Sequence, residues 1–189
     1  MIEPDSRIEN GYLKYAEWCY SPNYDERPSG TQPSLIVIHS ISLPPGDFGG
    51  VDIRRLFTNQ LDVNAHPFYQ QLRGLKVSTH FLIDRLGCIT QFVSCLNRAW
   101  HAGESNWRGE ANCNNYSIGI ELEGTESDGF EAEQYISLRA ICQSLVVSYP
   151  IEACVGHSHI ALPLGRKQDP GIGFNWSELS AVQNIDLPI

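Results

Sequence analysis

Apolar residues in this chain come in short runs separated by Gly, Pro, Asn and Asp, and the runs follow two different periods. Ser34-Leu35-Ile36-Val37-Ile38-His39 is a continuous β-branched run stopped by a histidine, which predicts a buried strand that delivers an imidazole at its C-terminal end. Residues 79–84 and 88–94 flank Asp84-Arg85-Leu86-Gly87, a hairpin signal. Residues 116–122 alternate poorly and are mostly apolar, as a central strand is. Over 131–149 the period changes: Tyr135, Leu138, Ile141, Cys142, Leu145, Val146 and Tyr149 recur at helical spacing, with acids near the start and Pro150 past the end. That pattern predicts an amphipathic helix on the sheet, with its tyrosines and Cys142 in the core. Shorter helices are expected over 50–57 and 175–182. Strands interleaved with helices predict an α/β fold, a central mixed β-sheet flanked by helices.

Composition narrows the organisation. A chain of 189 residues with 42% hydrophobic and 19% charged residues can bury one sizeable core. With no repeat, low-complexity tract or Ser/Pro linker, one domain over 1–189 is expected, its core over about 12–180. The start, Met1-Ile2-Glu3-Pro4-Asp5-Ser6-Arg7, lacks the basic and apolar regions of an export signal, and no apolar run approaches membrane-spanning length. A cytoplasmic protein with no membrane partner is the expectation. Six cysteines without a C-x-x-C pair then read as free, mostly buried thiols. With 13 Lys and Arg against 22 Asp and Glu, the formal charge of −9 disfavours nucleic acid and anionic surfaces as partners.

The chemistry concentrates where the periodicity ends. His157 follows Val155-Gly156, and Asp169 sits in the Gly/Pro-rich loop Gly165-Arg166-Lys167-Gln168-Asp169-Pro170-Gly171. With His39 these make two histidines and one carboxylate, a donor set that leaves a fourth tetrahedral position open, as catalytic Zn²⁺ sites do. The spacing is not a contiguous motif, however, and a histidine after a strand is more often a hydrogen-bonded core residue. Glu121, at the end of the strand containing Ile118-Gly119-Ile120, is either a satisfied structural carboxylate or a general base. Lys167 precedes Asp169 by two residues, so in an extended loop both point to one side, where an ammonium can stabilise an oxyanion; the plain alternative is a solvated lysine. Trp100 and His101 are as readily core as cleft. His66 and His80 read as structural, and His159 as a non-ligand.

Five blocks occur in order along the chain: Leu35-Ile36-Val37-Ile38-His39-Ser40 continuing through Pro44-Pro45-Gly46-Asp47-Phe48-Gly49-Gly50, Val77-Ser78-Thr79-His80-Phe81-Leu82-Ile83, Arg98-Ala99-Trp100-His101-Ala102-Gly103, Asn115-Tyr116-Ser117-Ile118-Gly119-Ile120-Glu121-Leu122-Glu123-Gly124, and Gly156-His157 with Arg166-Lys167-Gln168-Asp169-Pro170-Gly171. In that order they resemble the zinc-dependent N-acetylmuramoyl-L-alanine amidases, the superfamily of the peptidoglycan recognition proteins. Within it they are similar to the cytoplasmic branch that recycles 1,6-anhydromuropeptides. The resemblance implies one Zn²⁺ per chain on His39, His157 and Asp169, Glu121 as general base and Lys167 on the oxyanion. It further implies Ser40, Lys76, Trp100, His101 and Arg166 along the substrate cleft, and a small soluble muropeptide as the partner. Ser40 stands where that branch usually has asparagine, and Lys76 and Asn112 stand where arginines would hold the peptide's carboxylates. Residues 158–165 form a loop about two residues longer than usual. An amidase acting on intact peptidoglycan and a recognition module that binds without cutting are the competing readings; the latter commonly lacks a zinc ligand.

Overall fold

In the computed structural model, which describes residues 8–188, the chain is organised around the strand that carries His39. Six strands form one sheet: β1 (Glu17–Trp18), β2 (Leu35–Ile41), β3 (Phe81–Ile83), β4 (Ile89–Gln91), β5 (Ser117–Glu123) and β6 (Ala153–Gly156). Their order is β6-β2-β5-β3-β4-β1. The β6-β2, β2-β5, β5-β3 and β4-β1 pairs are parallel, and the expected β3-β4 hairpin is antiparallel. The sheet is therefore mixed, with its central strands buried on both faces, which is why 34–39 and 116–122 show no alternation.

Three helices accompany it: α1 (Asp52–Phe57), α2 (Ala132–Ser148) and α3 (His157–Ile160). Several serine and β-branched residues make α2 a modest helix former, so burial holds it in place. Tyr135, Leu138, Ile141, Cys142 and Leu145 pack against Ile36, Ile38, Ile118, Ile120 and Leu122, each such aliphatic side chain contributing roughly 1.5–3 kcal/mol. Gln134 fixes the start of the helix, its Oε1 accepting from Glu131 N (3.0 Å) and its Nε2 donating to Ile83 O and Glu123 O (3.2 and 3.0 Å). The opposite face of the sheet presents Leu35, Val37, Ala153 and Val155 to Ala102, Cys113, Tyr116 and Ile160. Beside them, α1 packs Ile53, Leu56 and Phe57 around Leu82 and Phe92. Because strand residues alternate between faces, His39 and Glu121 fall on this second face, away from α2.

Two expectations need correction. The helix over 175–182 is a single 3₁₀ turn, Trp176–Leu179, started by Asn175 Oδ1 accepting from Ser177 N; Asn184 at φ 63° and the bridge from Ala153 to Asp186 turn the chain extended soon after. The segment 158–165 is not all loop: β6 leads directly into one turn of α3, His157–Ile160, and His157 is the first residue of that turn. The two- and three-residue ladders, such as Tyr24–Glu26 with Asn97–Ala99, are too short to leave a period in the sequence.

All six cysteines are free thiols, with Cys95, Cys113, Cys142 and Cys154 buried. Among the described residues no helix is long and apolar enough to cross a membrane. The reading of residues 1–7 as lacking an export signal lies outside the described residues.

Candidate metal centre and active site

Register places the donors together. Glu121 lies opposite His39 in the parallel β5-β2 pair, and Gly156 opposite Ile38, so His157 emerges beside His39. The carboxyl ends of parallel strands are where α/β sheets collect ligands. Asp169 closes the group from the loop after α3, and the loop is seated by Ser158 N donating to Asp169 O (2.9 Å). His39 Nδ1, His157 Nδ1 and Asp169 Oδ2 form a triangle with edges of 3.0, 3.0 and 3.1 Å, and all three residues are buried.

Hydrogen bonding behind this triangle shows what it can hold. His157 Nε2 lies 3.0 Å from Ala102 O, and a carbonyl only accepts, so that nitrogen carries the ring proton. In that tautomer Nδ1 offers its lone pair toward His39 Nδ1 and a carboxylate oxygen. Burial, reinforced by His157, lowers His39 to a pKa of about 4, so the ring is neutral at pH 7. Burial opposes ionisation of Asp169, but its close contacts with His157 and His39 outweigh that and hold it below the usual carboxylate range. A neutral His39 imidazole and an ionised Asp169 carboxylate converging with His157 on one point suit a metal ligand set.

Glu121 borders the same space. Its Oε2 is buried without a hydrogen-bond partner, which is uncommon for a buried polar atom in a native protein. Burial pushes its carboxyl well above the usual range, the Asp169 charge adds to that, and the Lys167 ammonium opposes it. Lys167, exposed and lining the cleft, also bears electrostatically on His39. These residues open into a cleft of about 470 Å³, a size that suits a small molecule. One wall is polar, with Glu126, Arg166, Lys167 and Gln168; the other is apolar, with Leu43, Leu56, Phe57, Phe68, Leu72, Leu75 and Val77.

The other expected cleft residues are divided. Ser40 lines the cleft. Lys76 instead borders an adjoining depression with Asn59, Leu61 and Val63. Trp100 is absent from the cleft lining and lies by the Asp25 carboxylate, which Arg98 pairs. His101 reaches the cleft floor, but both ring nitrogens meet protein atoms. Arg166 lines the rim while its guanidinium donates to Leu162 O, Ala102 O and Glu104 O (2.6, 3.3 and 2.8 Å), which ties the lengthened 158–165 segment to residues 102–104. Asn112 sits at φ 59° at the start of the 3₁₀ turn Cys113–Asn115. His66 caps the 3₁₀ turn Pro67–Leu72, His80 Nδ1 accepts from Gly119 N and His159 Nδ1 from Gly156 N, so none of these three is in the donor group. The apolar wall was not foreseen, because most of it comes from loops and from α1 residues whose spacing signals only a core face.

A profile of the N-acetylmuramoyl-L-alanine amidase family matches residues 29–172, a span that contains His39, Glu121, His157 and Asp169. The chain belongs to the N-acetylmuramoyl-L-alanine amidase family. Over 176 residues this amidase is 48% identical to 1,6-anhydro-N-acetylmuramyl-L-alanine amidase AmpD of Salmonella typhimurium (strain SL1344), covering 92% of this chain and 93% of the relative. To AmpD of Escherichia coli (strain K12) it is 46% identical over 170 residues, with 90% and 93% covered. It superposes on the crystal structure of a selenomethionine derivative of AmpD with a TM-score of 0.89 at 46% identity, covering 93% of this chain and 98% of that one.

Proposed function

We propose that this amidase hydrolyses the amide between the lactyl group of 1,6-anhydro-N-acetylmuramic acid and the L-alanine of a stem peptide, as a Zn²⁺ enzyme of cytoplasmic muropeptide recycling. The observation that carries the chemistry is the buried triangle of His39, His157 and Asp169 beside Glu121, whose Oε2 has no partner. Its edges of 3.0–3.1 Å approach the roughly 3.3 Å between donors of a tetrahedral zinc site with bonds of about 2.0–2.1 Å. Nitrogen and carboxylate donors in this number suit zinc over the hard cations, which prefer more oxygens. Retention of all three donors disfavours a module that only binds. Near-complete two-way coverage against AmpD, whose name specifies the 1,6-anhydro sugar, supports the substrate.

Bound there, zinc would acidify a water and polarise the scissile carbonyl. His39, His157 and Asp169 would hold it at the cleft they line. Glu121, raised in basicity by burial, takes the proton of the attacking water and returns it to the departing alanine nitrogen. Lys167 places a positive charge where the carbonyl oxygen becomes anionic. The apolar wall shields the reacting amide from bulk water, and Ser40 offers the substrate a hydroxyl. His101 and Arg166 line the cleft with their polar groups engaged by protein, whereas Lys76 and Trp100 lie outside its lining.

Metal analysis of the wild type and of His39→Ala, His157→Ala and Asp169→Ala, with product masses from anhydromuropeptide, tests the proposal. About one zinc in the wild type, loss of zinc in each variant, and release of free peptide from the sugar are expected. A wild type free of zinc after metal-replete purification, or full occupancy in all three variants, would overturn the ligand set.

A further inference from the structure

Both nitrogens of His101 are engaged within the protein. The ring is buried against Gly119, where an added Cβ would come within 2.6 Å of His101 Cγ. Its Nδ1 lies 3.0 Å from His39 Nε2, and its Nε2 lies 3.1 Å from Ser117 Oγ. Ser117 Oγ in turn lies 2.6 Å from Cys113 O.

The last of these contacts fixes the direction of the others. A carbonyl oxygen can only accept, so the Ser117 hydroxyl donates its one proton to Cys113 O and offers a lone pair to His101. His101 Nε2 must then carry the ring proton, and Nδ1 is left as an acceptor. His39 Nε2 donates to that acceptor, and the bare nitrogen of His39 is Nδ1, the atom in the triangle with His157 and Asp169.

We infer that His101 is a positioning residue: with Ser117 and Cys113 O it forms a hydrogen-bond chain that sets the tautomer and orientation of His39 for metal binding. The inference rests on the metal centre proposed above. His157 receives the same service from a backbone carbonyl, Ala102 O, at 3.0 Å. His39 therefore depends on replaceable side chains where His157 does not. Outer partners of this kind raise ligand basicity and hold the ring in place, and losing one typically weakens metal affinity roughly 10–100-fold.

The test measures zinc affinity by competition with a chromogenic chelator. His101→Phe keeps a ring against Gly119 but removes both hydrogen bonds, and a loss of roughly 10–100-fold in affinity is expected. His101→Gln can accept from His39 and donate to Ser117, and is expected to recover most of that loss. Unchanged affinity in His101→Phe, or equal losses in both variants, would overturn the proposal. Wild type that binds no zinc would overturn the metal centre first, and is thereby distinguished from failure of the positioning role alone. Nitrogen-15 chemical shifts of the wild type give a check that requires no variant to fold: His39 is expected to be protonated at Nε2, and protonation at Nδ1 in the metal-free protein would contradict the chain.

Discussion

Glu121 carries the most direct consequences at the scale of single residues. A buried carboxyl with an unpartnered oxygen beside the donor triangle is suited to move protons, and general-base and oxyanion contributions are each worth roughly two orders of magnitude or more. Glu121→Gln and Lys167→Ala are therefore expected to keep zinc yet lose at least about that factor in turnover, read by metal content and steady-state rate on the same preparations. Near-normal turnover would remove the residue concerned from the mechanism, and zinc loss in Glu121→Gln would recast it as a support for the ligands. Stability of the metal-free protein provides a separate test. The folded pKa of Glu121 is raised, so its contribution is fully present below the unfolded carboxyl value of about 4.3 and is lost as pH rises toward the folded value. Glutamine does not titrate. In urea unfolding, Glu121→Gln should gain stability over wild type from pH 4 to pH 8; a pH-independent difference would contradict the raised pKa. Residue type and strand ends made His39, His157, Asp169 and Glu121 candidates in the sequence, and the family resemblance chose among their readings. The same resemblance put Trp100, His101 and Lys76 along the cleft, yet only His101 lines it, because an aromatic or a lone lysine has other uses that only the fold separates.

The elements bring those residues to one point, and the register depends on two glycines. Gly119 in β5 leaves room for the His101 ring, and Gly171, at φ 89°, lets the Asp169 loop pass the Glu126 carbonyl where a Cβ would collide with backbone. Gly119→Ala should cost about 1–3 kcal/mol by overpacking and loosen zinc through His101 and His39. Gly171→Ala should add the left-handed backbone penalty of about 1–2 kcal/mol to the collision and displace Asp169. Gly30→Ala is the matched control, since Gly30 has φ 80° with nothing near its Cβ position. It should lower the unfolding midpoint but leave zinc affinity intact, whereas equal zinc affinity in all three variants would separate the glycines from the site. Long or strongly patterned elements, β2, β5, α2 and the β3-β4 hairpin, were legible. β6 and α3 were not: four small residues and a single helical turn leave no period to read, although they deliver His157.

At the scale of the whole molecule, charge and cleft shape choose among muramoyl substrates. A formal charge of −9 opposes approach to anionic envelope polymers, and a cleft of about 470 Å³ with one apolar wall accepts a small soluble molecule. Ser40 and Arg166, which holds the 158–165 segment, line the cleft, whereas Lys76 borders the adjoining depression. Selection for the sugar end can be isolated by keeping the peptide constant. The deciding measurement is the ratio of kcat/KM for a 1,6-anhydromuropeptide over the reducing muramoyl form of the same peptide, with intact sacculi assayed in parallel. The account expects a ratio above about ten and little peptide released from sacculi; a ratio near one with efficient release from sacculi would contradict it and make this chain a general wall amidase.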